Sequence, residues 1–181
     1  MKPPDADTAP DAASAASASH ALDRALATVN RVLMLAAGAA LLAGALVLTE
    51  SVIVRYFLRQ STDWQDETTV FLLVGSTFLS APFVQQMRGH VGIEALPELL
   101  SPRANYLRVI VVDFVSLAFC AFFAWKSWTL FHESWVDDQH TASSWGPPLW
   151  IPYSTMSIGM TILCLQFLAQ IAAAVSRGAP R

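Results

Sequence analysis

Charged residues are scarce in this sequence, and their scarcity limits what kind of protein it can be. Only 14% of the 181 residues are Asp, Glu, Lys or Arg, whereas 54% are hydrophobic and the mean hydropathy is +0.44. Soluble domains average about a quarter charged residues, so this chain has too little charge to cover a water-exposed surface. The small net charge of −3 gives no indication of nucleic-acid binding. The composition therefore predicts an integral membrane protein that forms one compact domain.

Cysteine and histidine are also few, and their positions argue against a redox protein. Cys120 and Cys164 each lie alone in an apolar run, unlike the paired thiols of a thiol–quinone oxidoreductase. A haem-bearing four-helix cytochrome needs histidines deep in its helices. All four histidines instead lie outside the long apolar runs: His20, His90, His132 and His140. The sequence also has no Ser-His-Asp arrangement, phosphate-binding glycine loop or nucleotide motif, so we expect no cofactor.

Long apolar runs, by contrast, occur four times. They cover residues of about 32–54, 68–87, 107–125 and 150–175. As a helix the first run would be roughly 35 Å long at ~1.5 Å per residue, enough to cross a bilayer. Each run must be helical, because lipid offers no hydrogen-bonding partner to an open strand edge. We therefore predict an all-α membrane protein with four transmembrane helices.

The segments outside these runs complete the predicted organisation. Residues 1–28 are rich in Ala, Ser, Asp and Pro without apolar periodicity, which predicts a disordered cytoplasmic tail. Residues 29–177 would form the transmembrane domain, and residues 178–181 a C-terminal tail. Between spans two and three, residues 91–100 mix apolar residues with two glutamates and a proline. That mixture predicts a short segment on the membrane surface, because the stretch is too short to cross.

Lysine and arginine are distributed unequally between the two sides of the predicted spans. Eight lie on the side of the two termini and the loop between spans two and three, and three lie on the opposite side. The positive-inside rule then places both termini in the cytoplasm. The six tryptophans agree with this orientation, since all lie at or beyond the outer ends of the spans, where aromatic belts form.

Two acidic residues lie within the predicted spans, where a charge is costly. Glu50 is near the outer end of span one, and we predict that it reaches interfacial water or pairs with a cation such as Arg55. Asp113 is about two turns into span three, and we predict an interior position with hydrogen bonds to another span or to a partner. A role in ion coupling would need a chain of polar groups, whereas the polar residues of these spans look isolated. Span one also has small residues spaced by four, which predicts a close helix contact: Ala36, Ala40 and Gly44.

The outer loop between spans three and four carries side chains of the types that bind metals. They are His132, Glu133, Asp137, Asp138 and His140. The loop lacks a recognised metal spacing such as HExxH, so a solvated polar loop explains it better than a metal site. An alternative remains at this point: an independent small membrane protein, including a metal-dependent membrane enzyme that uses this loop.

Three sequence stretches together resemble one family of membrane proteins. They are VIVRYFLRQSTDWQDE from Val52, MRGHVGIEALPELLS from Met87 and GPPLWIPYSTMSIG from Gly146. Their order and their places at span ends resemble the DctQ-like small membrane subunit of tripartite ATP-independent periplasmic (TRAP) transporters, over roughly residues 30–175. The chain departs from the family pattern where a proline or glycine is common, having residues 61–63 before the tryptophan, Ser80 late in span two and Ser157 in span four.

The resemblance implies a function that composition alone does not. It implies a secondary transporter and not an enzyme, in which an ion gradient drives symport of an organic acid delivered by a periplasmic solute-binding protein. This chain would be the small permease subunit, a scaffold for the large permease subunit in the bacterial inner membrane. Six residues at span ends would orient the spans against that subunit: Arg55, Tyr56, Trp64, Glu67, Arg88 and His90. Alternatively, these residues are generic anchors at the membrane interface.

Overall fold

The apolar runs form four long helices in a computed structural model. The structure describes residues 9–87 and 102–177, with side chains for residues 24–87 and 103–176. In chain order the helices are α1 (Ala9–Ile53), α2 (Asp63–Met87), α3 (Pro102–Val136) and α4 (Trp150–Arg177). All four are long and apolar enough to cross a membrane, which confirms the predicted all-α fold with four spans. The predicted surface segment, residues 91–100, lies outside the described residues.

Local sequence signals explain where these helices begin and end. Helix α1 continues as one π-helical turn, Val54–Leu58, and ends at Arg59, whose positive φ of 49° is a left-handed conformation that often closes helices. Helix α2 carries Asp63 and Asp66 in its first turn, where carboxylates favour the positive end of the helix dipole. Helix α3 starts at Pro102, whose missing N–H is not needed at the first helical position.

Helix α1 extends into residues 1–28, for which a disordered tail remains the prediction from composition. Helix α1 already begins at Ala9, so the described part of that tail is helical. Alanines occur throughout residues 9–28, and alanine is the strongest helix former. Periodicity did not indicate this helix because the tail has no apolar face to repeat.

Helices α1 and α3 each bury one narrow stripe whose residues recur every seven positions. In residues 24–58 the buried residues are Asn30, Ala37, Gly44 and Ser51. In residues 103–136 they are Asp113, Cys120, Ser127 and Ser134, together with Ala124. A repeat of seven keeps one stripe turned toward one neighbour, as in left-handed helix pairs. Each of these two helices therefore packs along a single side.

Helix α2 packs along two sides. Its Leu72 lies against Gly44 of α1, where the absence of a side chain allows the helices to approach. One turn further, its Gly75 lies against Thr155 of α4. Helix α2 therefore stands between α1 and α4.

Helix α4 also packs along two sides. Toward α2, Gly159 is so close to Phe78 that a methyl group added at this glycine would overlap the Phe78 backbone carbonyl. Toward α3, Met160 and Phe167 form the apolar core of the domain with Cys120 and Ala124. The helices thus form a row in the order α1–α2–α4–α3, and in the described residues the two outer helices each have one extensive neighbour.

Only part of the small-residue motif predicted for span one lies in a helix contact. Gly44 is buried against α2, whereas Ala40 is half-buried and Ala36 is exposed. The residues of α1 that are buried in its helix contact recur every seven positions and include Gly44. Residues spaced by four, such as Ala40 and Ala36, lie progressively further around α1 from that contact.

The row has two ends, the loop end and the tail end. The loop end contains the connections at residues 59–62 and 137–149. The tail end contains the start of the first span, the end of α2, the start of α3 and the end of α4.

Candidate functional site at the two ends of the helix row

At the loop end, Asp66 joins the end of α1 to the start of α2. Its Oδ1 accepts a hydrogen bond from Ser51 Oγ at 2.9 Å, and its Oδ2 forms an ion pair with Arg55 Nη2 at 2.6 Å. The same Arg55 nitrogen donates to Thr62 Oγ1 at 2.6 Å. The side chains of Arg55 and Asp66 are 59% and 48% exposed, so water competes for this pair. The contacts fix the geometry of a short connection without a deeply buried charge.

The two glutamates of this region lie in different surroundings. Glu50 is exposed and accepts a hydrogen bond from Gln65 Nε2 at 3.2 Å. Arg55 was the predicted cation for Glu50, but in the structure Arg55 pairs with Asp66. Glu67 is half-buried, and its Oε2 has no hydrogen-bond partner among the described residues.

Exposed aromatic side chains lie beside the Arg55–Asp66 network. Tyr56 lies in the π-helical turn, is 77% exposed and meets Phe57 edge to face at 5.2 Å between ring centroids. Trp64 is 47% exposed and lines a small surface pocket with Trp145 and Asp63. Exposed aromatic rings at a span end suit the membrane interface or a protein partner.

At the tail end, neutral amides connect three helices. Asn30 of α1 is fully buried, and its Nδ2 donates to Gln86 Oε1 of α2 at 3.0 Å and to Gln166 Oε1 of α4 at 2.9 Å. Beside it, Gln85 Nε2 donates to Gln170 Oε1 at 2.8 Å, and Gln170 Nε2 returns a bond to the Gln85 backbone carbonyl at 3.0 Å. We call these five residues the amide cluster.

The amide cluster corrects the interpretation that the polar groups of the spans are isolated. Charged residues alone do not indicate this cluster, because its members are neutral amides. The available signal was a pair of adjacent glutamines in span two and two glutamines one turn apart in span four, Gln166 and Gln170. Amides can hold helices together at this depth because they donate and accept without carrying a charge into lipid.

Asp113 lies in the buried stripe of α3 and is 6% exposed. It therefore faces the interior of the row instead of lipid. Near it at the tail end, the Tyr106 hydroxyl approaches the Ala174 carbonyl of α4 at 3.5 Å. Arg88 and His90, the other predicted tail-end residues, lie outside the described residues.

The loop of residues 137–149 folds back on itself between α3 and α4. The backbone N–H of Leu149 donates to the Gln139 carbonyl at 2.9 Å, and that of Thr141 donates to the Pro147 carbonyl at 3.1 Å. His140 Nδ1 lies 2.7 Å from the Asp138 carbonyl oxygen. In the part of the chain that the structure describes, no three His, Cys, Asp or Glu side chains gather as metal ligands. No observation there favours the metal-enzyme alternative.

Comparisons with known proteins agree with the sequence motifs. Residues 44–177 match the family profile described as tripartite ATP-independent periplasmic transporters, DctQ component. The chain is also 26% identical to the C4-dicarboxylate TRAP transporter small permease protein DctQ of Vibrio cholerae serotype O1. That match covers 65% of this chain and 60% of the relative, so the chain spans less than two thirds of that protein's length. No solved structure matches the chain significantly.

Proposed function

Because this chain belongs to the DctQ component family of the tripartite ATP-independent periplasmic transporters, we propose that it is a small permease subunit that holds a large permease subunit in the membrane. In this proposal an ion gradient drives uptake of an organic acid, which a periplasmic solute-binding protein delivers. The relative from Vibrio cholerae is named for C4-dicarboxylates, which supports a carboxylate as the solute class.

The one-sided packing of the outer helices carries this proposal. On α1, a stripe opposite the buried one exposes Leu35, Leu42 and Leu46 by 68%, 69% and 72%. On α3, Phe114 and Phe119 are 64% and 67% exposed. These helices turn their small residues inward and their large apolar residues outward. Such faces suit lipid, and they equally suit a broad apolar contact with another membrane protein.

The polar groups of the row support placing the transport site in the large subunit. A carboxylate needs cationic or unengaged donor groups at membrane depth. Lys126 lies within α3, but it is exposed, and its Nζ lies 5.1 Å from the centroid of the neighbouring Trp125 ring. In the amide cluster, the side-chain nitrogens of Asn30, Gln85 and Gln170 donate to other members of the cluster, and Arg55 is engaged by Asp66 and Thr62.

Co-purification tests this proposal directly. A tagged form of this chain would be co-expressed with the large TRAP permease subunit of the same bacterium and extracted in mild detergent. We expect the two to elute as one complex with equal amounts of each. A chain that elutes alone under conditions where both proteins are folded and abundant would contradict the scaffold role.

We propose that the span-end residues act in this assembly. Substituting Arg55 or Glu67 by Ala should lower the yield of complex, and transport should fall in proportion. Lys126→Ala and Glu133→Ala serve as matched controls, because both residues are exposed charges in the half of α3 nearer the loop end. Normal complex yield with abolished transport in Arg55→Ala or Glu67→Ala would indicate a direct role in transport instead.

We also propose that both termini, and hence the tail end, face the cytoplasm. Cysteines would be placed singly at Ser19, Ser176 and Ser143 after Cys120 and Cys164 are replaced by Ala. In intact cells an impermeant maleimide should label only the Ser143 position, which lies in the outer loop. Labelling at Ser176 from outside would overturn this orientation.

A further inference from the structure

A lateral groove opens on one face of the row at the tail end, between α2 and α3. Its floor is α4, and its volume is about 700 Å³. Ala81 and Val84 of α2 form one wall, Val115 and Phe119 of α3 form the other, and Leu163 and Phe167 of α4 form the floor. The groove exists because α2 and α3 both pack on α4 and not extensively on each other.

Toward the loop end, the groove lining on α2 stops near the middle of that helix. There the rings of Phe78 and Phe123 stack across α2 and α3, with 6.0 Å between their centroids. From Thr77, beside this stack, the lining of α2 continues to Gln85. Eight residues of helix correspond to ~12 Å, close to the ~15 Å of hydrocarbon in one leaflet. A transmembrane helix of a partner would need a groove about twice as long.

The walls of the groove present almost only apolar surface. Three hydroxyls lie in its lining, those of Thr77, Ser80 and Ser116. The two on α2 bond to their own helix: Thr77 Oγ1 donates to the Leu73 carbonyl at 2.8 Å, and Ser80 Oγ donates to the Thr77 carbonyl at 3.1 Å. Their hydrogen-bonding capacity is therefore used within α2, and the groove offers contacts suited to methylene groups.

Between the groove lining on α3 and the tail end lies a cation, Arg108. Arg108 precedes Val115 by seven residues, so it lies on the same stripe of α3 about 10 Å closer to the tail end. It is half-buried and forms no ion pair with any described residue. A guanidinium at the membrane boundary favours a phosphate, which it can bind with two parallel hydrogen bonds.

We infer that this groove binds one acyl chain of a phospholipid from the tail-end leaflet, and that Arg108 binds the phosphate of the same molecule. The one-leaflet length, the apolar walls and the cation between the groove lining and the tail end all match this occupant. The inference concerns the chain itself and does not depend on the proposed subunit role.

Lipid retention measures this binding. The full chain would be reconstituted in nanodiscs of phosphatidylcholine with a minor fraction of phosphatidylglycerol, transferred to mild detergent and analysed by native mass spectrometry. We expect one retained phospholipid per chain, enriched in phosphatidylglycerol. Arg108→Gln should lower the retained phosphatidylglycerol about fivefold, and Val84→Trp, which fills the groove from an exposed position, should abolish retention.

Two control variants match these changes. Arg31→Gln removes an exposed cation at the same end, on α1, and Leu46→Trp places an equal ring on an exposed face of α1. Both should retain lipid as the unmodified chain does. Equal retention in all variants, or no retention in the unmodified chain, would overturn the inference. In the assembled complex, Val84→Trp should leave the large permease subunit bound. Release of that subunit with unchanged lipid retention would show that one of its helices, and not a lipid, occupies the groove.

Discussion

Helices α2 and α4 are packed on two sides, whereas α1 and α3 are packed on one. The inner pair meets at Gly159, where the backbone of α2 leaves no room for a side chain. The outer pair instead contributes stripes of small and polar residues and leaves large apolar side chains outside. The position of the inner helices is thus set by backbone contact within the chain. The outer helices have a free side on which a partner or lipid can pack.

Adding a methyl group at the close contact between α2 and α4 should give the largest loss of stability. Gly159→Ala must push α2 and α4 apart, because the added methyl meets backbone and cannot be relieved by a side-chain rotation. Overpacking of this kind costs about 1–3 kcal/mol. The loss would be measured as a lower unfolding midpoint in detergent micelles titrated with a denaturing detergent.

Gly38→Ala is the matched control on an outer helix. Nothing lies within 4 Å of a methyl group placed at Gly38, so this change should be neutral or stabilising by up to ~1 kcal/mol through helix propensity. Opposite signs at the two glycines would sharpen the distinction between inner and outer helices. A neutral Gly159→Ala would show that the inner crossing is not close.

Removing the amide that connects α1 to both inner helices should have the next largest effect. Asn30→Ala deletes two interhelical hydrogen bonds from a fully buried side chain. Such bonds in membranes are worth about 0.6 kcal/mol each on average, so we expect a loss of about 1–2 kcal/mol with the lost packing. The control is Thr28→Val, because Thr28 is exposed and bonds only within α1. Equal unfolding midpoints for Asn30→Ala and Thr28→Val would contradict a stabilising role of the amide cluster between α1 and the inner helices.

The loop-end ion pair should contribute less than the amide cluster. Both side chains of the Arg55–Asp66 pair are about half exposed, and exposed pairs are worth about 0–1 kcal/mol. A double-mutant cycle of Arg55→Gln and Asp66→Asn should give a coupling energy near ~0.5 kcal/mol that shrinks as salt is added. A coupling energy above ~2 kcal/mol that does not depend on salt would mean that water does not reach the Arg55–Asp66 ion pair.

The smallest effect is expected for the charge of Asp113. Asn keeps the shape and most hydrogen bonds of this buried residue, so Asp113→Asn should assemble and transport almost normally. Asp113→Leu loses those bonds and should reduce the yield of complex. Loss of ion-driven uptake in a fully assembled Asn variant would contradict a structural role and favour ion coupling.

The sequence predicts the four spans well because their signal is local. Runs of apolar residues, Pro102 at a helix start and Asp63 with Asp66 in a first turn each act within a few residues. The order of the helices depends instead on contacts between distant positions. Asn30 and Gln166 are 136 residues apart, and no local pattern indicates that they meet.

The buried stripes of α1 and α3 could not be predicted from the sequence for a different reason. Alanine and glycine occur on every side of α1, so a four-residue pattern through Ala36 and Ala40 fits as well as the seven-residue pattern through Ala37. Choosing between them requires the neighbour. The pairing of Arg55 with Asp66 in place of Glu50 likewise depends on how the π-helical turn directs the arginine side chain.

The repeat of seven along α1 also constrains how the length of this helix can change. Asn30 and Ser51 are 21 residues apart, three full repeats. Asn30 belongs to the amide cluster at one end of the row, and Ser51 bonds to Asp66 at the other end. Inserting one residue between them would rotate one end by about 100° relative to the other, so only one end could still face α2. We therefore expect relatives to keep the length between these two positions or to change it by seven. The helix sets both the distance and the rotational phase between the two membrane surfaces.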